Sequence, residues 1–473
     1  MSEARGSIAR TVSEKRAKSA GASRTRLLLQ GPIVPTLLRL APPNVVVNVV
    51  LIASTASIDA HFVGKLGPPA LAGLSLVFPL IMLMQQIANS SMGGSVAAAV
   101  ARAIGAGRHA DASALVVHGV IVAAGMAAVF SSVLLTGGPV LYAWMGGTGE
   151  TRAAALEYSN TVFAGAAVYW LLSTLTSVVR GVGQATVLAV VYLASQVLHI
   201  LLVPTLMFGV GPLPPLGIAG AGVATLTSFA VASVELAWYL VSGRTAVRFT
   251  LSGVRLRRRL FVEILRVGAP MSLQPALNNL GLAVLTGLVG TLGAAELAGF
   301  GAAVRLEYLL YPLAFGLGAG VLALVGTNIG AGKLARAARS AWTGATLAAG
   351  VTGSIGAFAM AFPDAWVGLF TDVPEIQFLA ARYLVVVSFA YQFLGLGLTR
   401  ADSFQAAGRP IWPLCAIASR ALVVACGGWI AVHVVKVGLG GLGIVVATGL
   451  VVYGLGLVAA FHARLWQRSM TPR

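Results

Sequence analysis

The decapeptide LGPPALAGLS (66–75) returns as LGAAELAGFG (292–301), 226 residues further along the chain. Its neighbours return with it. AIGAG (103–107) is answered by NIGAG (328–332) at an offset of 225, and RGVGQ (180–184) by QAAGR (405–409) at the same offset, matched through Gly183 and Gly408. LGIAGAGVAT (216–225) pairs with LGGLGIVVAT (439–448) at 223, and LLRLAPP (37–43) with ILRVGAP (264–270) at 227. Five matches in one order, at nearly one offset, mark an internal duplication. They divide the chain into halves at 33–242 and 263–463, joined by a hydrophilic linker at 243–262. A basic tail over 1–32, read as disordered, precedes the halves, and a short tail over 464–473 follows them.

Both halves are apolar. Of the 473 residues, 58% are hydrophobic and 10% charged, and the mean hydropathy is +0.88. Soluble domains carry about 25% charged residues, so this chain suits a lipid solvent. A bilayer-spanning helix takes about 20 apolar residues. Each half holds six such runs, separated by Gly, Pro and charge as in GAGRHAD (105–111), GVGPLPPLG (209–217) and GAGKLAR (330–336). Unbroken runs exclude a β-barrel, whose strands are short and alternate. The expected fold is an all-α polytopic membrane protein, twelve transmembrane helices in two six-helix bundles. Six is even, so both halves enter from the same side and are related by a pseudo-twofold axis along the membrane normal. Proteins built this way usually hold substrate between the halves and rock them against each other.

The net charge of +18 raises the question of nucleic acid, and its placement answers it. Of the 32 Lys and Arg, 26 fall in the tails, the linker or alternate loops on one side. The opposite side holds Lys65, Arg152, Arg382 and Lys436, while Arg305 and Arg420 lie within apolar runs. Positive loops stay cytoplasmic, so both termini are expected inside, with anionic lipid contact as a secondary role. The first apolar run, 34–61, is far longer than the 7–15 residues of a signal-peptide core. Cys415 and Cys426 lie on one helix about 16 Å apart, too far for a disulfide, and read as small packing residues. No Cys/His spacing suits zinc.

SIDAHFVGKLG (57–67) ends the first apolar run with an Asp and a His. An intramembrane carboxylate costs at least about 2.5–3.5 kcal/mol on insertion scales, so it has a partner or a task. Position alone leaves two readings of Asp59: an interfacial ion pair with Lys65 or His61, or a cavity-facing site for a proton, a cation or a charged substrate. His61 lies about 200° round the helix from Asp59 and reads as interfacial.

DAHFVGKLG (59–67), ALAGLS (70–75), ARAIGAG (101–107), LGIAGAGVAT (216–225), AAVRLEYLLYPLAFGLGAGVLALVGTNIGAGK (302–333) and QAAGRP (405–410) together resemble the multidrug and toxic compound extrusion (MATE) transporters. The resemblance runs from about 33 to 463 and rests on the order and spacing of the motifs rather than on any one of them. It implies twelve helices in two bundles and export of amphipathic, often cationic compounds, driven by a proton or sodium gradient. The Asp of D-x-x-F-x-G matches that family's helix-1 carboxylate, which favours the cavity reading of Asp59.

The fifth run departs from one branch of that family, which carries an Asn and, four residues later, an Asp-Pro. Here HILLVPTLMFG (199–209) has His199 at the Asn position and Val203 before Pro204. A His that titrates near neutral pH suits a proton carrier and poorly suits sodium. The alternative is a neutral His bonded to a helix carbonyl. The seventh run, SLQPALNNLG (272–281), offers Gln274, Asn278 and Asn279, which with Thr225 are candidates for a substrate cavity. Amides within a membrane also serve as interhelical glue. Pro275 is expected to break its helix locally. Arg305 and Glu307 are two apart, cannot share a helix face, and read as structural charges paired with other helices. Glycine patterns such as GLGAG (316–320) read as close helix packing.

The expectation is a proton-coupled antiporter exporting amphipathic small molecules, a monomer in contact with membrane lipids and not with nucleic acid. No metal site and no cofactor are expected, and GVGQAT (181–186) fits no nucleotide-binding fold, so ATP is not the energy source. A sodium-coupled exporter is the alternative, or a flippase for lipid-linked saccharides, which would favour several cavity Arg or Lys. An enzyme is disfavoured, since no His/Asp/Glu cluster or nucleophile motif lies in the apolar runs. A receptor or scaffold would leave Asp59 and the duplication without a role. The expected location is a bacterial cytoplasmic membrane. The topology makes one direct prediction: with Cys415 and Cys426 replaced, cysteines introduced at Ser252 and Gly146 label from opposite faces of the membrane, and labelling from one face would contradict the helix count.

Overall fold

A computed structural model describes residues 23–53, 57–211, 214–247, 249, 255–463 and 466. Most of the basic tail (1–22), the middle of the linker (250–254) and most of the stretch 464–473 lie outside the described residues. Residues 23–30, which the sequence reading places in the disordered tail, form a helix whose Leu28 is buried against Gly183.

Every regular element among the described residues is helical. Among the described residues nine helices are long and apolar enough to cross a membrane, and two bent pairs, Gly149–Ala164 with Ala166–Gly181 and Pro374–Ser388 with Tyr391–Ala406, raise the number to eleven. Arg258–Gly290, at 33 residues about 50 Å long, completes twelve. This is a multi-pass membrane protein with six helices in each half.

The chain forms two compact units, one comprising Met1–Gly31 and Val46–Leu265, the other Pro32–Val45 and Arg266–Arg473. The start of the first helix therefore groups with the second half, where the sequence reading assigned it to the first. The reason is a row of glycines on Ala294–Gly330. A Cβ on Gly316 would lie 2.4 Å from a Val45 methyl and 2.9 Å from the Ala41 carbonyl, and one on Gly320 would lie 3.3 Å from Leu40. Only glycine lets these backbones approach so closely.

The duplication reaches the backbone. Gly107 and Gly332 have φ of 70° and 72°, and Gly183 and Gly408 have φ of 76° and 72°. Each closes a helix in the left-handed conformation that glycine adopts without penalty. The closing bonds repeat as well: Arg108 N–H donates to Ala103 O at 2.9 Å and Lys333 N–H to Asn328 O at 2.8 Å. The bends match, at 49° around Gly165 and 50° around Ala390, and the carbonyls freed there find side-chain donors. Ser131 donates to Phe163 O at 2.6 Å and Gln392 to Phe389 O at 3.1 Å. The offset falls from 226 to 225 within one helix because the π-turn Ile87–Met92 carries one extra residue, where Ala294–Gly330 stays regular.

On the linker side, Asp111 accepts from Arg257 at 2.9 Å, Arg259 at 2.6 Å and Arg108 at 3.2 Å, and Arg102 pairs with Glu263 at 3.1 Å. Basic residues that the sequence assigned to topology thus also clasp the linker to the first unit. Cys415 and Cys426 are both exposed, so they are not the packing residues expected. Each falls on the outward face of its helix.

Glycine packing gives a stability prediction. A Cβ on Gly181 would lie 2.6 Å from the Ala97 carbonyl, whereas one on Gly125 meets nothing within 4 Å. Gly181→Ala should destabilise by about 1–3 kcal/mol in thermal unfolding of the detergent-solubilised protein, and Gly125→Ala should leave the transition unchanged or raise it slightly.

Candidate functional site

Asp59 opens the short helix Asp59–Gly64 and is fully buried, at 0% exposure. A lone carboxylate there would carry a desolvation cost of several kcal/mol, so its neighbours decide what it can be. His199 Nε2 lies 2.9 Å from one carboxyl oxygen, and the Tyr158 hydroxyl donates to the other at 3.2 Å. Thr225 stands beside the same carboxyl, its Oγ1 donating to Ala221 O at 3.1 Å. Four helices therefore meet at one acid: Asp59–Gly64, Gly149–Ala164, Ala185–Phe208 and Gly217–Val241.

Neither of the expected interfacial partners reaches Asp59. The Lys65 ammonium sits over the Phe62 ring at 5.1 Å, and His61 is exposed, edge-on to the same ring. Val203, one turn beyond His199, is buried among apolar neighbours, so no second carboxylate joins the pair. A small cavity of about 10 Å³ borders the site, lined by Ile81, Met84, Gln85, Tyr158, Tyr169 and Thr225 among others. Behind it, Asn89 donates to the Tyr169 hydroxyl at 2.5 Å and accepts from Ser173 at 2.9 Å, with Asn89 inside the π-turn.

The second unit holds a larger cavity, of about 50 Å³. At its wall Arg420 donates to Glu307 at 2.9 Å, and Tyr311 lies 3.4 Å from both groups. Asn278 lines this cavity; Gln274 and Asn279 do not, so the three amides do not act together. The helix Arg258–Gly290 runs through Pro270 and Pro275 without the local break expected at Pro275. Arg305 and Glu307 do find separate partners: Glu307 takes Arg420, and Arg305 is exposed, stacked 4.8 Å above the Phe370 ring.

The two cavities are related by the repeat. At the offset of 226, Leu285 of the second cavity stands where Asp59 stands in the first half, and Glu307 stands where Ile81 stands. At 225, Arg420 corresponds to Ser195. Each half thus keeps a buried acid and a basic partner, on different helices.

Three functional candidates escape a reading of the sequence. Tyr158 had one signal, since at 225 it matches Tyr383, and both are buried. The pairing of Glu307 with Arg420 had none, their separation being 113 residues. Arg400 is fully buried between Trp342 and Phe461, its Cζ 3.6 Å and 4.3 Å from the ring centres, and no guanidinium nitrogen has a hydrogen-bond partner among the described residues. Stacking on two rings is what offsets its burial. Among the described residues no three His, Cys, Asp or Glu side chains group as metal ligands.

The sequence profile named MatE matches residues 45–205 and 270–430, one copy in each half. The FAD transporter of Shewanella oneidensis is 26% identical over 386 residues, covering 81% of this chain and 84% of the relative. The probable multidrug resistance protein NorM of Deinococcus radiodurans is 29% identical over 451 residues, covering 90% and 95%. Among solved structures, a MATE in the bent conformation superposes with a TM-score of 0.87 at 25% identity, over 94% of this chain and 99% of that one. An outward-facing multidrug resistance MATE family transporter gives 0.84 at 25% identity, over 94% and 98%.

The Glu307–Arg420 pair makes a prediction of its own. Breaking a buried pair leaves one uncompensated charge and costs about 3–5 kcal/mol, while removing both charges is far milder. Arg420→Gln alone should therefore lower the unfolding midpoint sharply, and adding Glu307→Gln should recover most of the loss. A double variant no more stable than Arg420→Gln would contradict the pairing.

Proposed function

The chain belongs to the MATE family of transporters, and from that premise we propose that it is a secondary antiporter exporting amphipathic compounds in exchange for protons, by alternating access. The observation that carries this reading is the 2.9 Å contact between His199 and the fully buried Asp59. Imidazole is the side chain whose ordinary titration falls between pH 5 and 8, and a carboxylate beside it gives a proton two adjoining places to reside. With the acid ionised and the imidazole protonated, the pair ties Asp59–Gly64 to Ala185–Phe208 electrostatically. When the carboxyl takes up a further proton its negative charge is lost, the imidazolium keeps its own charge without a counter-charge, and the tie weakens, so loading and release can shift the two helices relative to each other.

Sodium is less well served. Hard cations favour several oxygen ligands, and the atoms beside the Asp59 carboxyl are a ring nitrogen and the hydroxyls of Tyr158 and Thr225, with the apolar Val203 a turn away. The chain has no G-x-x-x-x-G-K-[ST] motif, consistent with an ion gradient rather than ATP as the energy source. Relatives described as multidrug resistance proteins and an FAD transporter support amphipathic small molecules as the cargo. The bacterial relatives and the placement of positive charge support a cytoplasmic membrane with both termini inside.

Purified protein in liposomes should move a fluorescent amphipathic dye when a pH gradient is imposed without sodium, and not when a sodium gradient is imposed at equal pH. Asp59→Asn keeps size and hydrogen bonding but removes titration. It should cut the pH-driven flux by at least about tenfold, roughly 1.4 kcal/mol, while the protein elutes and melts as folded. His199→Gln should weaken the flux and shift its pH profile. Undiminished pH-driven flux in Asp59→Asn would overturn the proposal.

A further inference from the structure

The proton-exchange reading uses the first half's pair and leaves Glu307 and Arg420 unexplained. Packing does not require them. The equivalent positions in the first half are Ile81 and Ser195, and that bundle closes with no charge there. A buried pair is also a poor source of stability compared with apolar residues of similar size. Arg420 cannot relay a proton, because a guanidinium stays charged.

What Arg420 can do is hold an oxyanion. The guanidinium carries five N–H donors in a planar fork that matches carboxylate and phosphate. Glu307 occupies Nη2 at 2.9 Å, Tyr311 stands at a long 3.4 Å from Nη1, and Nε has no partner among the described residues. One edge of the fork is thus unused, on a residue that lines the cavity of the second unit, a space of about 50 Å³. Ligand sites combine apolar walls with a few polar groups. This one has Tyr308 and Tyr311 as aromatic wall, Asn278 as an amide, and Leu277, Leu282 and Val446 as apolar surface.

We propose that the cavity of the second unit binds amphipathic compounds that carry an oxyanion, a carboxylate or a phosphate, beside a flat ring. Arg420 clasps the oxyanion through the edge that Glu307 leaves open, and the tyrosines and apolar side chains take the ring. Glu307 acts as a positioning residue: it fixes the guanidinium plane and keeps the empty site neutral. The proposal rests on the reading of the chain as an exporter of amphipathic compounds, and it sets the sign of charge that one of its binding sites prefers.

Two probes isolate the oxyanion, because riboflavin and riboflavin 5′-phosphate share one fluorescent ring system and differ by a phosphate. Equilibrium binding to the full-length protein in nanodiscs of phosphatidylcholine, read by fluorescence anisotropy, should favour the phosphate by at least about tenfold. The paired replacement of Glu307→Gln with Arg420→Gln, which leaves no charge stranded, should lose the preference and bind the two probes alike. Equal binding of both probes by the unmodified protein would overturn the proposal without recourse to any variant. So would a preference that survives the paired replacement. Nanodiscs containing phosphatidylglycerol should bind riboflavin 5′-phosphate equally well, and competition by that lipid would assign the site to a headgroup and overturn the proposal. Because binding is measured without a gradient, a failure of proton-driven flux leaves this result untouched, and the two readings fail separately.

Discussion

A carboxylate enclosed by packed helices has no water to solvate it, and the structure depends on how that charge is answered. Asp59 is answered by His199, 140 residues away, and Glu307 by Arg420, 113 residues away. Each contact joins helices distant in sequence, so it fixes which helices adjoin as well as what chemistry lies between them. Glycines make the close approach possible, as where a Cβ on Gly395 would lie 2.6 Å from the Ala348 carbonyl and one on Gly454 2.7 Å from the Phe393 carbonyl. Acid pairs and bare backbone together replace the water that a soluble bundle would have at its polar positions.

Duplication supplied one scaffold twice and divergence then changed the partner. An imidazole gives up its proton within the physiological range; a guanidinium does not. The same scaffold therefore pairs its buried acid with an imidazole in one half and with a guanidinium in the other. Moving the acid from the first helix of one half to the second helix of the other, Asp59 against Glu307, left Leu285 and Ile81 as the apolar counterparts. The two proposals together divide the labour: coupling in the first half, recognition of a charged group in the second.

Much of the fold could be read from the sequence because membrane helices are specified by composition over about 20 residues and the repeat is specified by its glycines. Gly107, Gly183, Gly332 and Gly408 are legible because left-handed helix ends demand that residue type. Asp59 and His199 stood out because charge and imidazole are costly in an apolar run. Their pairing did not, since nothing local encodes a contact across 140 residues. The bends at Gly165 and Ala390 carry no proline and so left no mark, while Pro275, which suggested a break, sits in a continuous helix. Arg400 was counted with a cytoplasmic loop by its place in the chain, and only the stacking of Trp342 and Phe461 from other helices accounts for its burial.

The central claim is that Asp59 gains and loses a proton inside the first bundle. Infrared difference spectra of the protein in lipid, recorded across a pH step, report protonation of individual carboxyl groups through the C=O stretch. The account predicts a carboxyl band that appears on acidification and is absent from Asp59→Asn, with its midpoint displaced in His199→Gln. A spectrum of Asp59→Asn identical to that of the unmodified protein would contradict it.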